Sequence, residues 1–290
     1  MKHRSIRHLL FAFSLGLGIA AERAGATAPA IAPAAGTDTL RVCADPAGLP
    51  YSNEKGEGFE NRIARLIAKE LRATLQYTWW VQRRGFVRNT LDARTCDVVI
   101  GAPIGLGMLR ATRPYYRSTF AFVTRKESRL ESLRSLDDPR LRALTIGVPL
   151  AGDDGANPAP VHALGRRGIT GVLRGFPLYG ELGRNMPAAA EALAKREIDV
   201  AILWGPVAGA AAKNSPEPLI VVPLAEETDG ALPLAFAIGM AVRKDDKILA
   251  DRLDAALVKK RVQIAAVLRD AGVPLLPILD PSTETTDAHR

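Results

Sequence analysis

The side chains able to do chemistry are few and widely spaced. Of four histidines, His3 and His8 stand at the extreme N-terminus and His289 is penultimate, which leaves His162 as the one imidazole in the body of the chain. A zinc site built from several imidazoles, or a nucleophile with a choice of bases, has almost nothing to draw on. Asp45 and Glu60 are lone carboxylates beside the first loop, and acid–base catalysis needs a positioned second group that neither has. Asp153 and Asp154 sit together in the turn Gly152–Asn157, where two carboxylates would repel an anion. Asp154 or Asn157 suits the cap of a following helix, and the functional reading of the pair is a cation or a basic partner. A calcium loop would need more ligands at alternating positions. Arg84, in Arg83-Arg84-Gly85-Phe86, reads either as a solvated surface charge or as a partner contact, since Arg and aromatic residues are enriched at interface hot spots. The aromatic residues Tyr51, Phe59, Trp79, Trp80, Phe86 and Trp204, with Pro50, fall at strand ends and loops and suggest an apolar groove. Alternation places one of Trp79 and Trp80 in a core, and Trp80 and Trp204 are the groove candidates.

Around these residues the 290-residue chain has the make-up of a globular protein, 47% hydrophobic and 24% charged. Its formal charge of +8 invites a polyanion partner, but part of that charge lies in the first 26 residues. Lys2, Arg4 and Arg7 precede an apolar run, Leu9–Ala20, which is too short to span a bilayer. Small residues follow, with Ala24-Gly25-Ala26 as one cleavage pattern and Gly18-Ile19-Ala20 as another, so the segment reads as a secretory signal peptide. Cutting after Ala26 leaves a charge of about +5, spread as pairs rather than runs, and nucleic acid is not expected as a partner. Residues 27–38 read as a Pro/Ala linker. No later stretch is long and apolar enough for a membrane span, so the expected location is the periplasm. Export permits Cys43 and Cys96 to pair, but on parallel neighbouring strands their Cα atoms can exceed the bridging limit, and the pairing stays open.

The elements that must position these residues alternate. Thr39–Ala44 reads as a strand, Phe59–Leu71 as a helix with apolar residues at 59, 63, 66, 67 and 71, Thr74–Trp79 as a strand, Phe86–Ala93 as a short helix and Asp97–Gly101 as a buried strand. Phe120–Arg125 follows as a strand, and a second β/α pattern then begins with Thr145–Val148. It continues with helices over His162–Arg167 and Pro187–Arg196 and the strand Asp199–Leu203. Leu219–Pro223 and Ala235–Val242 read as strands and Lys247–Ala271 as a long helix ended by Gly272 and Pro274. Two similar α/β units place a cleft where their strand C-termini face each other.

The segments LRVCADPAGLPYS, GEGFENRIARLIAKEL, Asp97–Gly101, Arg113-Pro114-Tyr115-Tyr116 and EIDVAILWGPVA resemble the bilobal periplasmic solute-binding proteins of the polar amino-acid type. A narrower resemblance, carried by YTWWVQRRGFVRNTL, RPYYRSTFAFVTR, SLDDPRLR and GDDGANPAPVHAL, is to the quinoprotein-dehydrogenase-associated branch, the J proteins of methanol oxidation systems. The resemblance implies a two-lobed α/β fold of type II, each lobe a doubly wound, mostly parallel sheet, with two hinge crossings. Lobe 1 is expected over 39–119 and 236–276, lobe 2 over 120–235, and a tail over 277–290. It further implies a non-enzymatic periplasmic accessory protein without a cofactor of its own. The implied partners are a PQQ-dependent methanol or alcohol dehydrogenase and its c-type cytochrome.

Amino-acid receptors of this shape hold the ligand carboxylate with an Arg after the third strand and its ammonium with an Asp after a later one. Here the first position falls among Gly105–Met108, with no Arg in register, and Trp204 stands at the second. Both charged halves of the clamp are missing, and desolvating an α-amino acid unpaired costs several kcal/mol. The alternative to the accessory role is therefore a transporter receptor for a small neutral or aromatic molecule.

Overall fold

The computed structural model describes residues 38–150, 157–177 and 187–278. The expected signal peptide, nearly all of the linker, Asp153, Asp154 and the end of the expected tail lie outside the described residues. Strand β1 (Thr39–Ala44) leads through a two-rung hairpin, β2 (Ala47–Gly48) and β3 (Ser52–Asn53), into α1 (Phe59–Leu71). Phe59, Ile63 and Ile67 recur one helical turn apart and are all buried, which is what seats α1 on the sheet. The Asn61 side chain accepts from the backbone N–H groups of Asn53 and Gly58, tying the hairpin to the first turn of the helix. Then come β4 (Thr74–Trp79), a single turn α2 (Phe86–Asn89), β5 (Val98–Pro103), β6 (Leu109–Ala111) and the long β7 (Tyr116–Arg125).

The second half runs β8 (Ile146–Leu150), α3 (Ala159–Arg166), β9 (Leu173–Pro177), α4 (Ala188–Ala194), β10 (Val200–Trp204), α5 (Gly205–Asn214) and β11 (Leu219–Pro223). A short hairpin, β12 (Thr228–Asp229) with β13 (Leu232–Pro233), precedes β14 (Ala235–Arg243) and α6 (Lys247–Asp270). Strand β9 and helix α5 were not expected from the sequence. LRGFP carries a Gly and a Pro, and Gly205-Pro206 reads as a loop, although Pro is well accommodated in the first helical turn. Helix α2 is shorter than expected and β7 begins four residues earlier. Helix α3 starts after Pro158 with no side-chain cap, so Asn157 does not cap it.

The fold is α/β and two-lobed, and the lobes share one design. In the first, β4, β1 and β5 are parallel neighbours and β14 closes them antiparallel; in the second, β9, β8 and β10 are parallel and β7 closes them antiparallel. Strands β7 and β14 make the two crossings. Tyr116–Thr119 of β7 pairs with Ala235–Ile238 of β14, and from Phe120 onward β7 pairs instead with β10 and β11. The segment after α6 spans the same junction: the Ser118 hydroxyl donates to Pro274 O, and the Leu276 N–H donates to Arg117 O. Arg117 in turn pairs with Glu227.

Cys43 and Cys96 form a disulfide, with Cα atoms 5.4 Å apart. The strands β1 and β5 are indeed parallel neighbours, but the segment before β5 closes onto β1 through the Asp97 N–H, which donates to Arg41 O. That approach brings Cys96 within bridging range, removing the geometric objection. The bridge is buried with Phe86 and Leu91 on one face of the sheet, while Leu40, Val42 and Ala44 of the same strand pack under α1 and α6 on the other.

Candidate functional site

The cleft between the lobes is built from strand ends, and its volume is about 370 Å³. The first lobe contributes Tyr51 from the loop after β1, Glu60 from the first turn of α1, and Gly101 and Pro103 from β5. Gln82, after β4, lies at the exposed edge. The crossing strands supply Tyr116, Phe120, Phe236 and Ile238, and Trp204 comes from the end of β10. Five aromatic rings thus surround a single charged side chain, and no Arg, Lys or His is among the described residues that line the cleft.

Trp204 is the ring that joins the lobes. It packs against the apolar cores of both, and meets Phe120 and Phe236 edge-to-face with centroids 5.4 and 5.5 Å away. This is a geometry an indole favours, with its ring in edge-to-face apolar contact. An Asp here would expose a carboxylate to three rings, so the missing ammonium half of the amino-acid clamp reflects a different chemistry of the cleft.

Glu60 lies against Gly101: a Cβ built on that glycine would collide with Glu60 Oε1. The absence of a side chain at Gly101 is therefore what lets the carboxyl lie across the end of β5. Burial pushes Glu60 up to about 8, so at neutral pH it is mostly the uncharged acid. Tyr51, Tyr115 and Tyr116 surround it; burial, reinforced by the Glu60 charge, raises each phenol above its ordinary value. Tyr115 donates its hydroxyl to Ile100 O at 3.0 Å.

Among the residues singled out from sequence, Tyr51, Glu60 and Trp204 line the cleft together. Phe59 does not reach it: it is buried beneath, with its ring 5.4 Å from Tyr51 and 6.4 Å from Tyr116, and so supports two of the lining rings. Asp45 is also set back. Its carboxylate accepts from the backbone N–H groups of Ala47 and Gln82, at 2.9 and 2.6 Å, and so holds the edge of the cleft. Trp80 is 43% exposed and lies outside the lining; its neighbour Trp79 is the inward ring, stacked on Tyr77 at 4.6 Å. Arg84 is exposed and does not line the cleft, and Phe86 belongs to the core around the disulfide. Asp153 and Asp154 lie outside the described residues. Sequence reasoning missed Gly101, Tyr116, Phe120, Phe236 and Ile238 as lining residues. The period-two spacing of Tyr116, Ser118 and Phe120, and of Phe236 and Ile238, was the available signal, once those strands are known to be the crossings.

Among the described residues no cluster of three or more potential ligands could hold a metal ion, and no helix is long and apolar enough to cross a membrane. Two lobes, two β crossings and a cleft at the strand C-termini define a periplasmic-binding-protein fold. No protein-family profile matches the chain. The chain is, however, 33% identical over 264 residues to protein MoxJ of Methylorubrum extorquens, covering 87% of this chain and 85% of that protein. It is equally similar to protein MoxJ of Paracoccus denitrificans, at 33% over 269 residues, covering 88% of this chain and 96% of that protein. The crystal structure of the periplasmic binding protein XoxJ from Methylobacterium extorquens AM1 superposes with a TM-score of 0.68 at 41% identity, covering 83% of this chain and all of that one. The chain belongs to the MoxJ family.

Proposed function

We propose that this protein is an exported, non-enzymatic accessory protein of a PQQ-dependent methanol or alcohol dehydrogenase. The observation that carries the reading is the similarity to MoxJ and XoxJ over more than four fifths of the chain, with a cleft whose described lining includes no cation to meet an amino-acid carboxylate. A receptor that feeds amino acids to a permease needs that cation, because an unpaired carboxylate loses its hydration without return. The dehydrogenase, its c-type cytochrome or both are the partners, and lobes 39–119 with 236–276 and 120–235 present the surfaces that meet them. Arg84 and Trp80, both exposed beside the segment that Asp45 holds, are contact candidates on the first lobe.

The test is co-purification with a PQQ-dependent methanol dehydrogenase of the same organism, together with dehydrogenase activity in a deletion strain. The expected result is a complex and a loss of active enzyme that the restored gene reverses. Full dehydrogenase assembly and activity without this protein would overturn the proposal. The ring-lined cleft favours a second reading, a receptor for a small solute. Receptor-grade affinity raises the melting temperature by mass action, so a thermal-shift screen tests it, and co-purification tests the accessory role separately.

A further inference from the structure

Among the described residues the cleft contains one carboxyl group and five rings, and this composition selects a chemical class. Glu60 accepts no hydrogen bond from a described residue, and none of the described residues lining the cleft is cationic. Gly101 has no side chain, and Glu60 Oε1 lies in the space its Cβ would fill, which seats the carboxyl against β5 in the cleft wall. The described wall also carries the π surfaces of Tyr51, Tyr116, Phe120, Trp204 and Phe236, interrupted by Gln82, Pro103 and Ile238. Aromatic faces attract a cation through their quadrupole, by about 2 kcal/mol or more once water is excluded. An anion meets the same faces with repulsion and finds no described cation in the lining to offset it.

We propose that the cleft binds a small organic ammonium ion, with Glu60 as its counter-ion and the rings of Trp204, Phe120 and Phe236 as its cage. This departs from the small neutral or aromatic molecule expected from the sequence. It rests on the cleft being a ligand site and not on which protein docks outside it. The volume of about 370 Å³ suits a cation of roughly six to ten non-hydrogen atoms with some accompanying water. Binding draws Glu60 from its protonated to its ionised form, because a positive charge beside a carboxyl lowers its pKa against the burial that raised it. The titratable groups facing Glu60, the phenols of Tyr51, Tyr115 and Tyr116, stay neutral throughout. Binding at pH 7 therefore releases a proton from Glu60 to the solvent.

The decisive measurement is titration calorimetry of the full-length exported protein with choline, with butylammonium, and with 3,3-dimethylbutan-1-ol, the uncharged carbon analogue of choline. The cations are expected to bind at least tenfold more tightly than the alcohol, and the heat is expected to vary with buffer ionisation enthalpy as proton release requires. Glu60→Gln is expected to cost the cations tenfold or more while leaving the alcohol within a factor of three. Phe236→Leu, which leaves the carboxyl in place, is expected to weaken the quaternary cation preferentially. Equal or tighter binding of the alcohol, cation affinity unchanged in Glu60→Gln, or no heat with either cation would overturn the proposal. The comparison of cation with alcohol uses the unaltered protein and so does not depend on any variant folding. A complex with the dehydrogenase that persists when no ammonium binds would overturn this inference alone.

Discussion

Glu60 connects the chemistry of the cleft to the stability of the fold. Its pKa is raised by burial from near 4.5 to about 8, so between those values the folded chain holds a proton that the unfolded chain has released. Stability therefore falls as pH rises from about 5 to 8 and levels off above that. Asp138 beside Arg140, and Asp270 beside Arg62, are held below the usual carboxylate range, so their contributions are lost only at lower pH. We expect the melting temperature to decline by several degrees between pH 5 and 8, and the decline to be much reduced in Glu60→Gln; an identical slope in the variant would refute this assignment. Gly101 gives a second test at the same contact. Gly101→Ala forces the carboxyl aside and is expected to cost about 1–3 kcal/mol in urea denaturation. The same substitution in a Glu60→Ala background should cost much less, since the colliding atom is gone.

Among the elements, the first sheet depends on a bridge that local pattern did not settle. The disulfide closes a separation of 53 residues between β1 and the approach to β5. Constraining a loop of that size in the unfolded chain stabilises the fold by about 2–4 kcal/mol. Replacing both cysteines by serine, or adding a strong reductant, is expected to lower the melting temperature by roughly 5–15 °C. No change would mean that the Arg41–Asp97–Arg243 ion pairs beside the bridge already hold this edge. Most elements were legible. The apolar spacing of Phe59, Ile63 and Ile67 predicts α1, and Val98–Ile100 predicts a buried strand, because each pattern has one way to face a core. Strand β9 and helix α5 were not, because Leu173–Pro177 is largely unburied and α5 opens on Gly-Pro. What holds them in place are neighbours distant in sequence, β8 for the strand and β7 for the helix.

At the scale of the whole molecule, the chain fastens its lobes together outside the two β crossings. Helix α5 of the second lobe meets the end of α6 at Gly209 and Gly272, where a Cβ on Gly209 would collide with the Gly272 carbonyl. The Lys213 ammonium donates to Asp270 O at 2.8 Å, and Asp270 also pairs with Arg62 of α1. Glycine within a helix ordinarily costs about 1 kcal/mol relative to alanine, so Gly209→Ala in an isolated helix would stabilise. In this protein the sign is expected to reverse, to a loss of about 1–3 kcal/mol, because the obstacle is rigid backbone. Stabilisation by Gly209→Ala would show that this contact does not constrain the lobes.

The sequence by itself determined the α/β class, the alternation that yields two similar lobes, and the absence of an amino-acid clamp. The first two follow from residue type and local period, and the third from the resemblance to amino-acid receptors. The tertiary structure alone decided which side chains share the cleft. Tyr51, Glu60, Gly101, Tyr116, Phe120, Trp204 and Phe236 converge from segments up to 185 residues apart, and they meet because β7 and β14 cross between lobes side by side. It also decided the pairing of Cys43 with Cys96, which turned on how the chain approaches β5. Local periodicity reports which face of an element is apolar; which other element that face meets is set by packing across the whole chain.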